Sequence, residues 1–227
     1  MISVIIPASG AGLRFGAVKP KQFLDLKGRQ ILWHTISVFQ NINEVDEIAV
    51  AVPQGYASEV EHYGFNKVKH IVEGGESRAH SVFTALKKLS PHTKTVLIHD
   101  GVRPFVTEDI IKSVATQAKI YGAAIACIPI TDTIKKAGPQ GKITETLDRN
   151  QLWSVQTPQG FTYDIITNAY YQAEKDGTLA QVTDDSSLVE RLKIPVHIVH
   201  GSPRNIKITT STDFHIAETF ILERTGC

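Results

Sequence analysis

Short runs rich in β-branched residues alternate along the chain with amphipathic stretches, the rhythm of a parallel sheet flanked by helices. Strands are expected over residues 3–7, 47–52, 68–72, 95–99 and 123–130. Several of them are apolar on both faces, as in a sheet covered on both sides. Helices are expected over residues 31–39, 77–89, 108–121 and 212–224. Ile31, Ile36 and Phe39 supply apolar positions of the first. In the second, Val82, Phe83, Leu86 and Leu89 fall at helical spacing behind an N-cap candidate, Ser77. The fold class that follows is α/β, a Rossmann-like and mostly parallel sheet with helices on both faces.

The pattern changes after residue 130. Residues 131–161 show no clean period and are punctuated by Gly138, Pro139, Gly141, Pro158 and Gly160. Leu152, Trp153 and Val155 make the segment too apolar for a floppy linker, so it reads as an arm that packs on something. One domain over residues 1–227, with this arm inserted at about 131–161, is the expected organisation.

Composition narrows the partners. Hydrophobic residues make up 42% of the 227, charged residues 21%, and the formal net charge is +1. That is ordinary globular material, and it argues against a broad nucleic-acid or anionic-membrane surface. The opening seven residues lack a basic region and are interrupted by Pro7, so a secretory signal is not expected. The longest apolar stretch, residues 122–130, is far too short to span a bilayer. Cys127 and Cys227 have neither metal nor redox spacing, which makes a reducing cytoplasm the expected setting.

Candidate chemistry begins where the first strand ends, in Pro7-Ala-Ser-Gly-Ala-Gly-Leu-Arg-Phe-Gly16 and Lys19-Pro-Lys-Gln22. Small residues there let backbone N–H groups approach an anion. A dinucleotide fingerprint fails because Phe15 stands where its third glycine belongs, and no Gly-Lys-Ser/Thr closes an NTPase loop. What is left is a glycine-rich turn near Arg14, Lys19 and Lys21. An ion pair at about 4 Å is worth roughly 4 kcal/mol at an effective dielectric near 20, so these cations suit a polyphosphate. A tight turn with a solvated basic face fits the same residues. Three further polar clusters fall near strand ends, where open α/β sheets bind ligands. They are Glu73-Gly-Gly-Glu-Ser-Arg-Ala-His-Ser81, His99-Asp-Gly-Val-Arg-Pro104 and Asn205-Ile-Lys-Ile-Thr-Thr210. Each alone is explained as well by a surface ion pair or a plain strand lysine.

Together they carry a resemblance. Gly10-Ala-Gly-Leu-Arg14, Pro20-Lys-Gln22, Gly74-Gly-Glu-Ser-Arg78 with Ser81, His99-Asp-Gly-Val-Arg-Pro104, Thr131-Asp-Thr-Ile-Lys135, Asp148-Arg149, Gln156-Thr-Pro-Gln159, Thr183-Asp-Asp185 and Asn205-Ile-Lys-Ile-Thr209 run in order over essentially the whole chain. This series resembles the 2-C-methyl-D-erythritol 4-phosphate cytidylyltransferases. Ribitol-5-phosphate cytidylyltransferases share the glycine loop, Pro-Lys-Gln and Thr-Pro-Gln. The Thr131–Lys135 string, Asp148-Arg149 before Leu152-Trp153, and Thr183-Asp-Asp185 look more like the methylerythritol family. Ser9 stands where alanine or glycine is common and Gly101 where alanine is common; both are small, so backbone contacts are expected to survive.

The resemblance implies a homodimer that transfers CMP from CTP to 2-C-methyl-D-erythritol 4-phosphate, a step of non-mevalonate isoprenoid biosynthesis. By that likeness, backbone at Ala8, Ser9, Gly10 and Gly12 cradles CTP, while Gly75, Glu76 and Ser81 read the cytosine edge. Asp100 and Gly101 lie near the ribose or the second substrate. Arg14 and Lys21 stabilise charge at the α-phosphorus and on the leaving pyrophosphate. Arg103, Thr133, Arg149, Thr157 and Lys207 hold the polyol phosphate, Arg149 and Lys207 positioning its phosphate. Mg²⁺ rides mainly on the CTP phosphates and needs few or no direct protein ligands, with Asp184 and Asp185 at best behind its waters. The arm crosses to the second subunit, so that Thr133, Arg149 and Thr157 complete the neighbour's site.

Overall fold

All five expected strands lie in one seven-stranded sheet: β1 (Ile2–Pro7), β4 (Glu47–Val52), β5 (Val68–Glu73), β6 (Thr95–Ile98) and β7 (Ala123–Pro129). Two more, β10 (Trp153–Thr162) and β11 (His197–His200), complete the order β11-β7-β10-β6-β1-β4-β5. The computed structural model describes residues 1–10 and 19–225. Every neighbouring pair is parallel except those made by β10, which runs antiparallel to both β6 and β7.

Side-chain alternation divides the core in two. Val4 and Ile6 face one layer, with Leu32, Ile36 and Phe39 of α1 (Ile31–Gln40) and Val114 of α4 (Glu108–Tyr121). Ile5 faces the other, with Val82 and Phe83 of α3 (Arg78–Leu86), Ile166 and Tyr170 of α5 (Tyr163–Lys175), and Leu188 of α6 (Asp185–Arg191). Helices on both faces explain why all six residues of β4 are buried. A short helix, α2 (Ala57–Glu61), follows β4, and a two-stranded piece, β2 (Asp25–Leu26) with β3 (Arg29–Gln30), precedes α1. The last helix, α7 (Ser211–Thr225), belongs to a smaller cluster in which Ala217 and Ile221 join Leu26, Ile31 and Phe105. Among the described residues, no helix is long and apolar enough to cross a membrane.

Local signals set the helix ends. Ser77 caps α3 by accepting the His80 N–H at 3.2 Å. Thr107 caps α4, which stops at Gly122 with φ +90°.

Residues 131–161 divide. A small hairpin, β8 (Lys135–Ala137) with β9 (Ile143–Thr146), is exposed at every strand position. The part from Trp153 onward is β10, in the middle of the sheet. Irregularity was expected there because proline and glycine normally exclude a central strand. Two local features reconcile them. The pairing of β10 with β7 shifts register between Val155 and Gln159, so Pro158 sits where the ladder is already broken. A Cβ on Gly160 would lie 2.7 Å from Val114 and 3.0 Å from Leu97, so glycine lets α4 press directly on the strand.

Candidate active site

Four segments meet at the carboxyl ends of the strands: the loop after β1, the turn between β5 and α3, the stretch after β6, and residues 205–209. Main-chain hydrogen bonds tie them together. Ala8 N–H donates to Ala51 at 2.7 Å, Gly74 N–H to Val52 at 2.8 Å, Gly101 N–H to Pro7 at 3.2 Å, and Ile208 N–H to Val102 at 3.0 Å. Between them opens a cleft of about 590 Å³, lined among others by Ser9, Gly10, Lys21, Glu76, Asp100 and Lys207. Lys21 begins a 3₁₀ turn, Lys21–Phe23, whose buried Gln22 side chain donates to the carbonyls of Ala8 and Gly10.

Asp100 is the centre of the floor. Its carboxylate is buried and meets three cations: Arg78 Nε at 3.0 Å, Lys207 Nζ at 2.9 Å and Arg103 Nε at 3.4 Å. Burial alone would raise its pKa, but Arg78, Lys207 and Arg103 outweigh that and hold it well below the usual carboxylate range. Arg78 also reaches Asp185 at 2.8 Å, and the fully buried Asp185 accepts a hydrogen bond from Tyr170. Three cations against two carboxylates leave a positive excess at the cleft, suited to a phosphate-bearing ligand.

His99 lies directly beneath. It is fully buried, and burial drives its pKa down to about 4, so it is neutral near pH 7. Its Nε2 lies 3.0 Å from the Arg103 carbonyl, which can only accept, so Nε2 carries the proton. Nδ1 then accepts from the Thr157 hydroxyl at 3.0 Å, and that oxygen accepts the Asp100 N–H at 3.1 Å. Asn205 closes the ring, its side-chain amide donating to the Thr157 carbonyl at 2.8 Å while its main-chain carbonyl accepts from Arg103 at 2.8 Å. The Asp100 amide and the Arg103 carbonyl after it are thus held by neutral hydrogen bonds, and the Asp100 side chain by charges.

Comparison with known proteins agrees with this arrangement. The family model for 2-C-methyl-D-erythritol 4-phosphate cytidylyltransferase matches residues 2–224. The chain belongs to this family. A curated enzyme of that name from Alkaliphilus oremlandii is 45% identical over 228 residues, covering 98% of this chain and 95% of its own. Another from Symbiobacterium thermophilum is 43% identical, covering 98% and 93%. Among solved structures, the 4-diphosphocytidyl-2C-methyl-D-erythritol synthase of Anaerococcus prevotii superposes with a TM-score of 0.85 at 31% identity, covering 97% of this chain and 95% of its own. The Francisella tularensis cytidylyltransferase gives 0.84 at 31%, covering 96% and 98%.

Of the family residues expected from the sequence, Ala8, Ser9, Gly10, Lys21, Gly75, Glu76, Asp100 and Lys207 all line the one cleft. Gly101 packs beneath it; a Cβ there would come within 2.9 Å of the Ala8 side chain, so an alanine would have to displace a neighbour. Arg103 braces Asp100. Gly12 and Arg14 lie outside the described residues. Two of the expected side chains, Ser81 and Thr157, have hydrogen-bond partners within the chain. Ser81 is fully buried under the Gly74–Gly75 turn, donating to the Ser77 carbonyl and accepting the Gly75 N–H, so it supports the turn from below. Thr157 is spent on His99 and Asp100 in the same way. Thr133 and Arg149 are exposed on the arm and are not among the residues that line this chain's cleft, and Arg149 donates to the Thr131 carbonyl at 2.7 Å.

Arg78, His99, Asn205 and Gln22 are site residues to which sequence reasoning gave no role. Each lies inside one of the family motif strings. Nothing along the chain says that Arg78 faces a carboxylate 22 positions later. Among the described residues, no group of three or more His, Cys, Asp or Glu side chains is placed to hold a metal ion.

Proposed function

We infer that this chain transfers CMP from CTP to 2-C-methyl-D-erythritol 4-phosphate, giving 4-diphosphocytidyl-2-C-methyl-D-erythritol and pyrophosphate. The observation that carries the reading is the cleft itself. A glycine-bearing loop and Lys21 lie on one wall, and Asp100 with Lys207 forms the floor, all at strand ends of a chain that matches this family throughout.

The chemistry is an in-line displacement. A phosphate oxygen of the polyol phosphate forms the new bond to the α-phosphorus of CTP, and the bond from that phosphorus to the bridging oxygen of pyrophosphate breaks. The nucleophile is already ionised, so no protein nucleophile and no base are required. Catalysis is then positioning and charge stabilisation. Lys21 faces the charge that builds on the α-phosphoryl oxygens and on pyrophosphate, a role the family likeness also gives to Arg14. Lys207 and Arg103 guide the incoming phosphate and polyol, and Asp100 keeps both cations in place while offering an acceptor to a hydroxyl. Mg²⁺ enters as part of the substrate, bound to the CTP phosphates. Asp100 already faces three cations, which disfavours it as a metal ligand.

The arm supports a second element of the reading. An isolated two-stranded hairpin is marginal in water, and β8–β9 is exposed on both strands. A second copy of the chain that receives this arm would cover it and would bring Thr133 and Arg149 to the partner's cleft. A homodimer in the cytoplasm, with neither nucleic acid nor membrane as a partner, completes the proposal. The test is a substrate panel scored by pyrophosphate release with CTP and Mg²⁺. The methylerythritol phosphate should be turned over far faster than ribitol 5-phosphate, and CTP used well ahead of UTP and ATP. Equal use of both polyols would remove the substrate assignment.

A further inference from the structure

Two loops form the upper wall of the cleft, and among the described residues one side-chain hydrogen bond joins them. Ser9, after β1, meets Ser81, in the first turn of α3, at 2.6 Å between hydroxyl oxygens. The direction of this bond can be deduced. The one proton of Ser81 goes to the Ser77 carbonyl at 2.9 Å, and the Gly75 N–H occupies one of its lone pairs at 3.1 Å. All three contacts are hydrogen bonds at once only when Ser9 donates the third. Ser81 is then saturated, with one proton given and two accepted, and the Ser9 proton is committed.

Shape says the same as hydrogen bonding. A Cβ on Gly74 would fall 2.1 Å from the Ser9 Cβ and 2.4 Å from its Oγ. The Ser9 side chain therefore occupies the space that the absent Gly74 side chain leaves. Below the same loop, Gln22 holds the Ala8 and Gly10 carbonyls. The loop after β1 is braced on both sides, by Gln22 and by the Ser9–Ser81 contact, and the second brace is also the link to the Gly74–Gly75 turn.

We propose that Ser9 is a positioning residue for the nucleotide: its hydroxyl latches the loop after β1 to the turn before α3 and sets the gap into which CTP fits. It acts through Ser81 and the Gly75 amide and does not touch the reacting phosphorus. The proposal rests on the reading that CTP lies between these two loops. Its signature is a loss confined to nucleotide binding.

The experiment is calorimetric titration of the full chain with CTP alone, paired with steady-state turnover, for the wild type, Ser9→Ala, Ser81→Ala and the double variant. Removing one neutral hydrogen bond should weaken CTP binding by roughly three- to tenfold in Ser9→Ala. Turnover at saturating substrate and KM for the polyol phosphate should stay within about twofold, a split that general loss of structure would not produce. The double variant should bind CTP no worse than the poorer single variant, because both break the same bond. Wild-type affinity in Ser9→Ala would overturn the latch, as would single losses that multiply in the double variant. Should Ser81→Ala fail to fold, Ser9→Ala decides alone. A wild type that binds no CTP would instead bring down the reading of the cleft, and the latch with it.

Discussion

Around Asp100 nearly every polar group has a partner inside the same chain, whereas the hairpin of residues 135–146 stands in solvent. Asp100 touches three cations, its amide is held by Thr157, and the far side of its turn is held by His99. The hairpin has its own ladder, a contact of Lys135 with Thr146 at 2.6 Å and one of Thr144 with the Lys136 carbonyl at 3.1 Å. Both regions are assigned to the same substrate. The difference separates two ways of holding side chains: those of the floor are fixed by buried contacts, while the arm is a hairpin held by its own ladder and exposed at every strand position. Changes in the floor should therefore cost stability and activity together, and changes in the arm activity alone.

The largest effect should come from Asp100→Ala. It leaves Arg78, Arg103 and Lys207 without their shared carboxylate, and removing one partner of a buried ion cluster costs about 3–5 kcal/mol. Urea unfolding checks this; a loss below about 1 kcal/mol would mean that the floor is looser than its contacts imply.

Acid should expose the same region. Burial keeps His99 neutral down to about pH 4, but in the unfolded chain it takes up a proton near its ordinary value of 6.5. Between those values the unfolded state binds more protons, so stability falls as the pH drops, by up to about 3 kcal/mol over the window. Asp100, whose folded pKa is depressed, adds a further loss only at lower pH, as its carboxylate is forced to protonate. His99→Gln keeps a donor for the Arg103 carbonyl and should flatten the slope between pH 6.5 and 4. An unchanged slope would assign the acid sensitivity to other groups.

Lys21→Ala probes the wall above. Turnover should fall roughly 100- to 1000-fold with only a modest loss of CTP affinity, as for a group that acts mainly on transition-state charge. Near-normal turnover would take Lys21 out of the chemistry.

The arm should respond in the opposite manner. Arg149 is exposed, so Arg149→Ala should change unfolding free energy by less than about 0.5 kcal/mol while activity is lost. Mixing Lys21→Ala chains with Arg149→Ala chains should restore about a quarter of wild-type activity, because each mixed dimer has one intact cleft. Mixed dimers without recovery would show that the arm serves its own chain.

What the sequence disclosed follows the same division. The strand runs were legible as short β-branched apolar stretches and four of the helices by apolar residues at helical spacing, and Ser77 marked one start by capping. Strand β10 was not, because the register shift beside Pro158 and the close approach of Val114 to Gly160 exist only in three dimensions. In the cleft, the motif strings located the glycine loop, Lys21, Asp100 and Lys207. They could not show which side chains face the ligand and which support those that do. Ser81 shares a string with Glu76, and Thr157 belongs to Gln156–Gln159, yet both hydroxyls are occupied by the chain itself. Hydrogen-bond saturation is a property of the packed site, and residue spacing does not encode it.

The most direct measurement is a crystal structure of the chain grown with CTP and Mg²⁺. The base should lie against the Gly74–Glu76 turn and the triphosphate over Gly10 beside Lys21. The path to the α-phosphorus should be open from the side of Asp100 and Lys207. A triphosphate bound elsewhere, with Lys21 and Lys207 both remote from it, would contradict the account.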